Sequence, residues 1–240
     1  VTDASWIKNV PVAHRGLHDL NKTVWENTLS AAKQAIEAGY AIECDLQYAS
    51  DSVPVVFHDD DMARLCGIPG DVRARTSAEL KLMAVGGTAD KVPTLKDMLN
   101  TVKGQVPLVI ELKGREGDDD GFVEDVLEVL SGYQGKVALM SFDHHLLKEL
   151  KALDCPYPVG LTAEGAKPED FFAHDEAMQL GLDFISYCVA HLPNSFIEAQ
   201  RRKNIPVITW TVRDENMMRH TYTHADQMTF EGFDPREVRA

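Results

Sequence analysis

A chain of 240 residues, 44% of them hydrophobic, is long enough for one large domain with a sizeable core. Its formal charge of −14 argues against the basic stripe that nucleic-acid binding needs and against docking on an anionic membrane. No apolar run approaches the ~18 residues of a membrane span. The four cysteines, Cys44, Cys66, Cys155 and Cys188, form no C-x-x-C pair, so free thiols and a cytoplasmic setting are expected, with an upstream signal segment left open because the chain starts at Val1.

Short apolar runs alternate with amphipathic stretches along the chain. Strands are expected at about 10–13, 41–46, 107–112, 136–140, 158–161, 183–186, 206–210 and 225–228. The first helix starts after Glu26-Asn27-Thr28, where Asn27 or Thr28 supplies the cap, and Gly39 stops it. Later helices are expected at 94–103, 119–132, 143–152, 168–180, 194–203 and 213–221. Asp118-Asp119-Asp120 reads as the acidic first turn of one of them. Strands alternating with helices of this length form βα units, and eight such units predict a single α/β domain closed as a TIM (β/α)8 barrel.

The run Val53–Phe57 breaks the rhythm, because six residues after the second strand is too short for a parallel crossover. A hairpin turning at Ser50-Asp51 fits, pairing 49 with 52 and 43 with 58. An insertion subdomain at about 47–92 is therefore expected after the second strand, with 60–91 lying over the barrel mouth.

Polar residues cluster where the apolar runs end: His14-Arg15-Gly16, Glu43-Cys44-Asp45, His58-Asp59 and Glu111-Leu112-Lys113. Parallel barrels keep their chemistry at these carboxyl ends. Glu43 and Asp45 are two apart on a strand and share a face, which turns Cys44 outward to pack against helices. Carboxylates facing one spot repel unless a cation or proton lies between them, and Glu111 supplies a third. An all-oxygen set suits Mg2+ or Ca2+.

His14 and His58 are the histidines placed directly after clear strands, and imidazole exchanges protons near neutral pH. His18, His144, His145, His174, His191, His220 and His224 fall on loops or helices and carry no assigned chemistry. Arg15 and Lys113 are candidates for holding phosphate oxygens, and Trp210 for an apolar wall beside the substrate. Together these are the parts for hydrolysing a phosphate ester with a hard metal ion.

With Glu26-Asn27-Thr28, Pro93-Thr94-Leu95, Ser141-Phe142 and Trp210-Thr211-Val212 added, the motifs stand in the order and spacing of the glycerophosphodiester phosphodiesterase family, which the chain resembles over nearly its whole length. The resemblance implies a TIM barrel with an insertion after the second strand. It also implies hydrolysis of glycerophosphodiesters to an alcohol and glycerol 3-phosphate with a divalent cation. Carried over by motif, His14 and His58 are the acid/base pair, Glu43, Asp45 and Glu111 bind the metal, Arg15 and Lys113 hold phosphate, and Glu26 sits near the site.

The chain departs from the family's Thr-Asp-x-Pro ending, reading Met228-Thr229-Phe230-Glu231-Gly232-Phe233-Asp234-Pro235, and a short or missing eighth helix is expected. The expected partner is a small-molecule diester, with no nucleic acid and no stable membrane anchor, the protein being a monomer or homodimer. Two alternatives stand beside this reading. One is a lysophospholipase D or phospholipase C-like lipid phosphodiesterase, and the other is an inactive barrel that binds a phosphodiester.

Overall fold

The computed structural model describes residues 2–238. Helix starts follow the side chains able to satisfy free N–H groups. Thr28 accepts from the Ala31 N–H to open α1 (Leu29–Ala38), and Gly39, at φ 75°, closes it. Thr94 and Asp97 form a reciprocal capping box at the head of α4 (Leu95–Val102). Short helices α2 (Ala63–Cys66) and α3 (Ser77–Leu80) lie between them. The remaining helices are α5 (Phe122–Leu130), α6 (His144–Ala152), α7 (Pro168–Met178), α8 (Ser195–Arg202) and α9 (Glu215–His224).

The strands are β1 (Val12–Ala13), β2 (Ala41–Tyr48), β3 (Pro54–Val56), β4 (Leu108–Leu112), β5 (Val137–Ser141), β6 (Val159–Ala163), β7 (Phe184–Cys188), β8 (Val207–Val212) and β9 (Gln227–Phe230). Their order is β1-β9-β8-β7-β6-β5-β4-β2, and β1 pairs back with β2. All eight are parallel, so the sheet closes into a TIM barrel, with β3 added antiparallel on β2.

Side chains alternate across each strand as the pleat requires. Val12, Ala41, Val109, Ala138, Phe184 and Ile208 fill the inside, where Trp6 and Ile7 pack with them. Ile42, Cys44, Leu108, Ile110, Leu139 and Leu161 face the helix layer, which confirms the outward reading of Cys44. Gly160 makes room inside, since a Cβ there would lie 2.4 Å from the Phe184 ring. A separate cluster of Ala49, Val55, Phe57, Met62, Leu65, Val72, Leu80, Val85 and Val92 packs beneath the segment that follows β2. Among the described residues no helix is long and apolar enough to cross a membrane, and all four cysteines are free.

Three details differ from expectation. The hairpin pairs Leu46 with Val56 and Tyr48 with Pro54, one step away from the 49–52 pairing. Ser52, at φ 60°, adds a third loop residue, so continuing the register sets His58 opposite Cys44 rather than Glu43. The eighth barrel strand runs to Phe230 and starts after Asp226, whose carboxylate turns back to accept from the Val207 N–H. Asp119 is buried and ion-paired to Arg73 ahead of α5, so the acidic triplet is not that helix's first turn. As expected, the eighth helix is short: among the described residues β9 is followed by a single 3-10 turn, Pro235–Glu237.

Candidate active site

The site grows from β1, β2, β4 and β8, joined by His58, two residues past the end of β3. His14 prolongs β1, its N–H donating to Phe230 O at 2.9 Å. The chain then turns sharply at Arg15 (φ 55°) and Gly16 (φ 81°), where a Cβ would lie 2.8 Å from the Ala31 side chain. The turn aims the Arg15 N–H at Glu43, with Oε2 accepting at 2.8 Å.

Glu43 and Asp45 point inward from β2, and Glu111 lies opposite Asp45 in the parallel register. All three are buried, and an oxygen from each lies within 4.8 Å of the others. Lys113 Nζ pairs with Asp45 Oδ1 at 3.0 Å and with Glu111. Asp45 Oδ2 accepts from Asn27 Nδ2 at 2.9 Å and lies 3.3 Å from Arg15 Nε.

The three carboxyls titrate differently. Burial pushes Glu43 well above its ordinary range, and the charges of Asp45 and Glu111 add to the rise. Burial also raises Glu111, with Lys113 opposing it. Asp45 moves down, because Lys113 and Arg15 outweigh its own burial. Two raised carboxyls beside an ionised one mark a place where negative charge is undercompensated. Oxygen donors crowded this way fit a divalent Mg2+ or Ca2+.

Each histidine has a carboxylate behind it. His14 Nδ1 lies 2.6 Å from Glu231 Oε2, and His58 Nδ1 lies 2.7 Å from Asp59 Oδ1. Burial lowers the pKa of both rings despite these partners. His14, Arg15, Glu43, Asp45, His58, Glu111, Lys113 and Trp210 all line one cavity of about 180 Å³. Phe142 meets Trp210 edge-on at 5.5 Å, making an aromatic wall.

Glu26 sits one step back, because guanidinium groups take both its oxygens. Arg15 donates to Oε1 at 2.6 Å, and Arg64 forks onto both oxygens at 2.8 and 2.9 Å. Burial works against ionisation of Glu26, yet Arg64, Arg15 and Asn21 pull its pKa down to about 2. Arg64 also grips Asp59, donating from Nε at 2.7 Å.

Several of these residues escape sequence reasoning. Asn27 reads as a cap but bonds Asp45. Nothing in the pattern marks Arg64, which comes from α2 in the insertion. Glu231 is hidden by the misplaced end of β9, although a polar residue after buried Phe230 is the same signal that marks His14 and Glu43. His18, given no chemistry from sequence, is buried with its Nε2 3.6 Å from Glu231 Oε2.

Comparison with known proteins gives the family. The family model for the glycerophosphoryl diester phosphodiesterase family matches residues 14–231. YhdW of Bacillus subtilis is 26% identical over 216 residues, covering 85% of this chain and 86% of that protein. A phosphodiesterase from Oleispira antarctica, solved with sn-glycerol 3-phosphate, superposes with a TM-score of 0.83 at 22% identity, covering 94% of each chain. The glycerophosphodiester phosphodiesterase of Thermotoga maritima gives 0.74 at 28% identity, covering 92% of this chain and 94% of its own. The chain belongs to the glycerophosphoryl diester phosphodiesterase family and is a phosphoric diester hydrolase.

Proposed function

We propose that the cavity hydrolyses small glycerophosphodiesters to a free alcohol and sn-glycerol 3-phosphate, with His14 and His58 exchanging the protons and Glu43, Asp45 and Glu111 holding Mg2+ or Ca2+. The observation that carries this reading is the convergence of two carboxylate-backed histidines, three buried carboxyls and two cations on one cavity of about 180 Å³. The product bound to the Oleispira relative supports glycerol 3-phosphate as the retained half.

The roles follow from chemistry. Arg15 presents a forked cation to phosphate oxygens, and Lys113, pinned by Asp45 and Glu111, presents a point charge. One histidine removes the proton of the attacking water, or of the substrate's glycerol 2-hydroxyl with water then opening the cyclic phosphate, and the other donates a proton to the leaving alcohol. A bound divalent cation would neutralise phosphate charge and polarise a phosphoryl oxygen. Trp210 and Phe142 wall one side of the cavity against water. Glu26 and Asn27 hold Arg15 and Asp45 in place. The whole chain acts as one catalytic domain, with 47–92 as an inserted rim that supplies His58 and Arg64. The four unpaired cysteines suit a reducing, cytoplasmic setting.

The test identifies both products from a panel of glycerophosphodiesters. Glycerol 3-phosphate plus a free alcohol is expected. Glycerol plus a phosphorylated alcohol would overturn the assignment of the cleaved bond, and no turnover with any diester would overturn the proposal.

A further inference from the structure

Glu231 is where three side chains from different elements converge. Its Oε2 lies 2.6 Å from His14 Nδ1 and 3.6 Å from His18 Nε2. Its Oε1 accepts from Arg213 Nε at 2.8 Å. The carboxylate has little freedom to wander. It is 11% exposed, and the Glu231 N–H donates to Val212 O at 3.0 Å, tying its backbone to β8. Among the described residues neither ring nitrogen of His18 has a hydrogen-bond partner, and Glu231 lies within ion-pair distance of that buried ring.

An ionised carboxylate can only accept, so a bond of 2.6 Å requires the proton on His14 Nδ1. The neutral ring then carries its lone pair on Nε2, which faces the cavity 4.0 Å from Glu43 Oε2. The other tautomer would turn two lone pairs toward each other at Nδ1 and leave Nε2 unable to take a proton.

We propose that Glu231 is the positioning residue for His14, fixing its tautomer and rotamer so that Nε2 is the atom offered to the reacting phosphate ester. The proposal deepens the acid/base reading of His14 and rests on it. It also gives a task to the segment in which the chain departs from the Thr-Asp-x-Pro ending. There the strand-end residue Glu231 reaches back to His14 while Arg213 pairs with its other oxygen.

Glu231→Gln is the informative variant. Arg213 is the cation beside this side chain and attracts the amide oxygen, which turns the amide NH2 toward His14 Nδ1. An NH2 facing Nδ1 needs its lone pair, which places the ring proton on Nε2. Two-bond 15N–1H spectra of the full chain, assigned with His14→Ala, read this directly. The parent should show Nδ1–H, and Glu231→Gln should show Nε2–H. The kcat should fall roughly 10³–10⁴-fold, the order of loss when the analogous carboxylate of a serine protease triad is amidated. KM should move by less than about threefold, since binding groups are untouched.

Nε2–H in the parent overturns the proposal even if the variant does not fold. An unchanged tautomer or an unchanged kcat in a folded Glu231→Gln overturns it as well. Failure of the parent to release glycerol 3-phosphate sinks the function reading instead, and the tautomer spectra still decide what Glu231 does to His14.

Discussion

The two histidines share one device, a carboxylate on Nδ1, but they are built into opposite kinds of structure. His14 stands on the barrel wall, its side chain 13% exposed, against a Glu231 that is tied to β8 and 11% exposed. His58 hangs from the insertion hairpin, 32% exposed, against an Asp59 that is 23% exposed. Glu231 is braced by Arg213 from the end of β8, whereas Asp59 is braced by Arg64 from α2, which also grips Glu26 and through it Arg15. A more buried barrel half and a more exposed insertion half therefore meet over the cavity.

The largest expected effect removes what both halves share. Asp45→Asn or Glu43→Gln should eliminate cation-dependent turnover. Each should also lose the rise in Tm that Mg2+ or Ca2+ gives the parent, since a ligand bound to the folded state stabilises it by mass action. An undiminished cation-induced shift in either variant would take that carboxylate out of the metal set.

The histidines come next. His14→Ala and His58→Ala should each lower kcat by ~10²–10⁴. Equal losses would show the two halves bearing equal chemical load. Near-normal turnover in either would dissolve the pair.

Acid stability tests the support beneath both halves. Glu26 is held at about pH 2 in the folded protein, against an ordinary 4.5. Its stabilisation is therefore complete above about pH 4.5 and is lost as pH falls toward 2. The difference is on the order of 3 kcal/mol, from the shift and the free energy per pKa unit. Urea unfolding of parent and Glu26→Gln between pH 5 and 2.5 should converge on acidification, and parallel curves would contradict the assignment.

Arg64→Ala should have the smallest effect, lowering kcat roughly tenfold through a loosened His58 and Arg15. The His14 tautomer should stay unchanged. A shifted His14 spectrum would mean that the two halves are not separable in the way the geometry shows.

Much of this was legible in sequence because it depends on local rules. A carboxylate or histidine at the end of an apolar strand lands at the barrel mouth, so His14, Glu43, Asp45, His58, Glu111 and Lys113 could be named before the fold was seen. Pleat parity separated Glu43 and Asp45 from Cys44. What stayed hidden depends on register and on contacts distant in sequence. The single αL residue Ser52 shifted the hairpin by one. The end of β9 was hidden because Asp226 is spent on a turn bond to Val207 rather than on the strand, and Glu231 vanished with it. Arg64 and Asp119 act across 38 and 46 residues, on Glu26 and Arg73, where no periodicity reports.

The most direct test of the central claim is the rate of sn-glycerol 3-phosphate release from a glycerophosphodiester by EDTA-treated protein, before and after titration with Mg2+ or Ca2+. The account predicts release that falls to background in EDTA and returns with the cation. Release that persists unchanged in EDTA would contradict it.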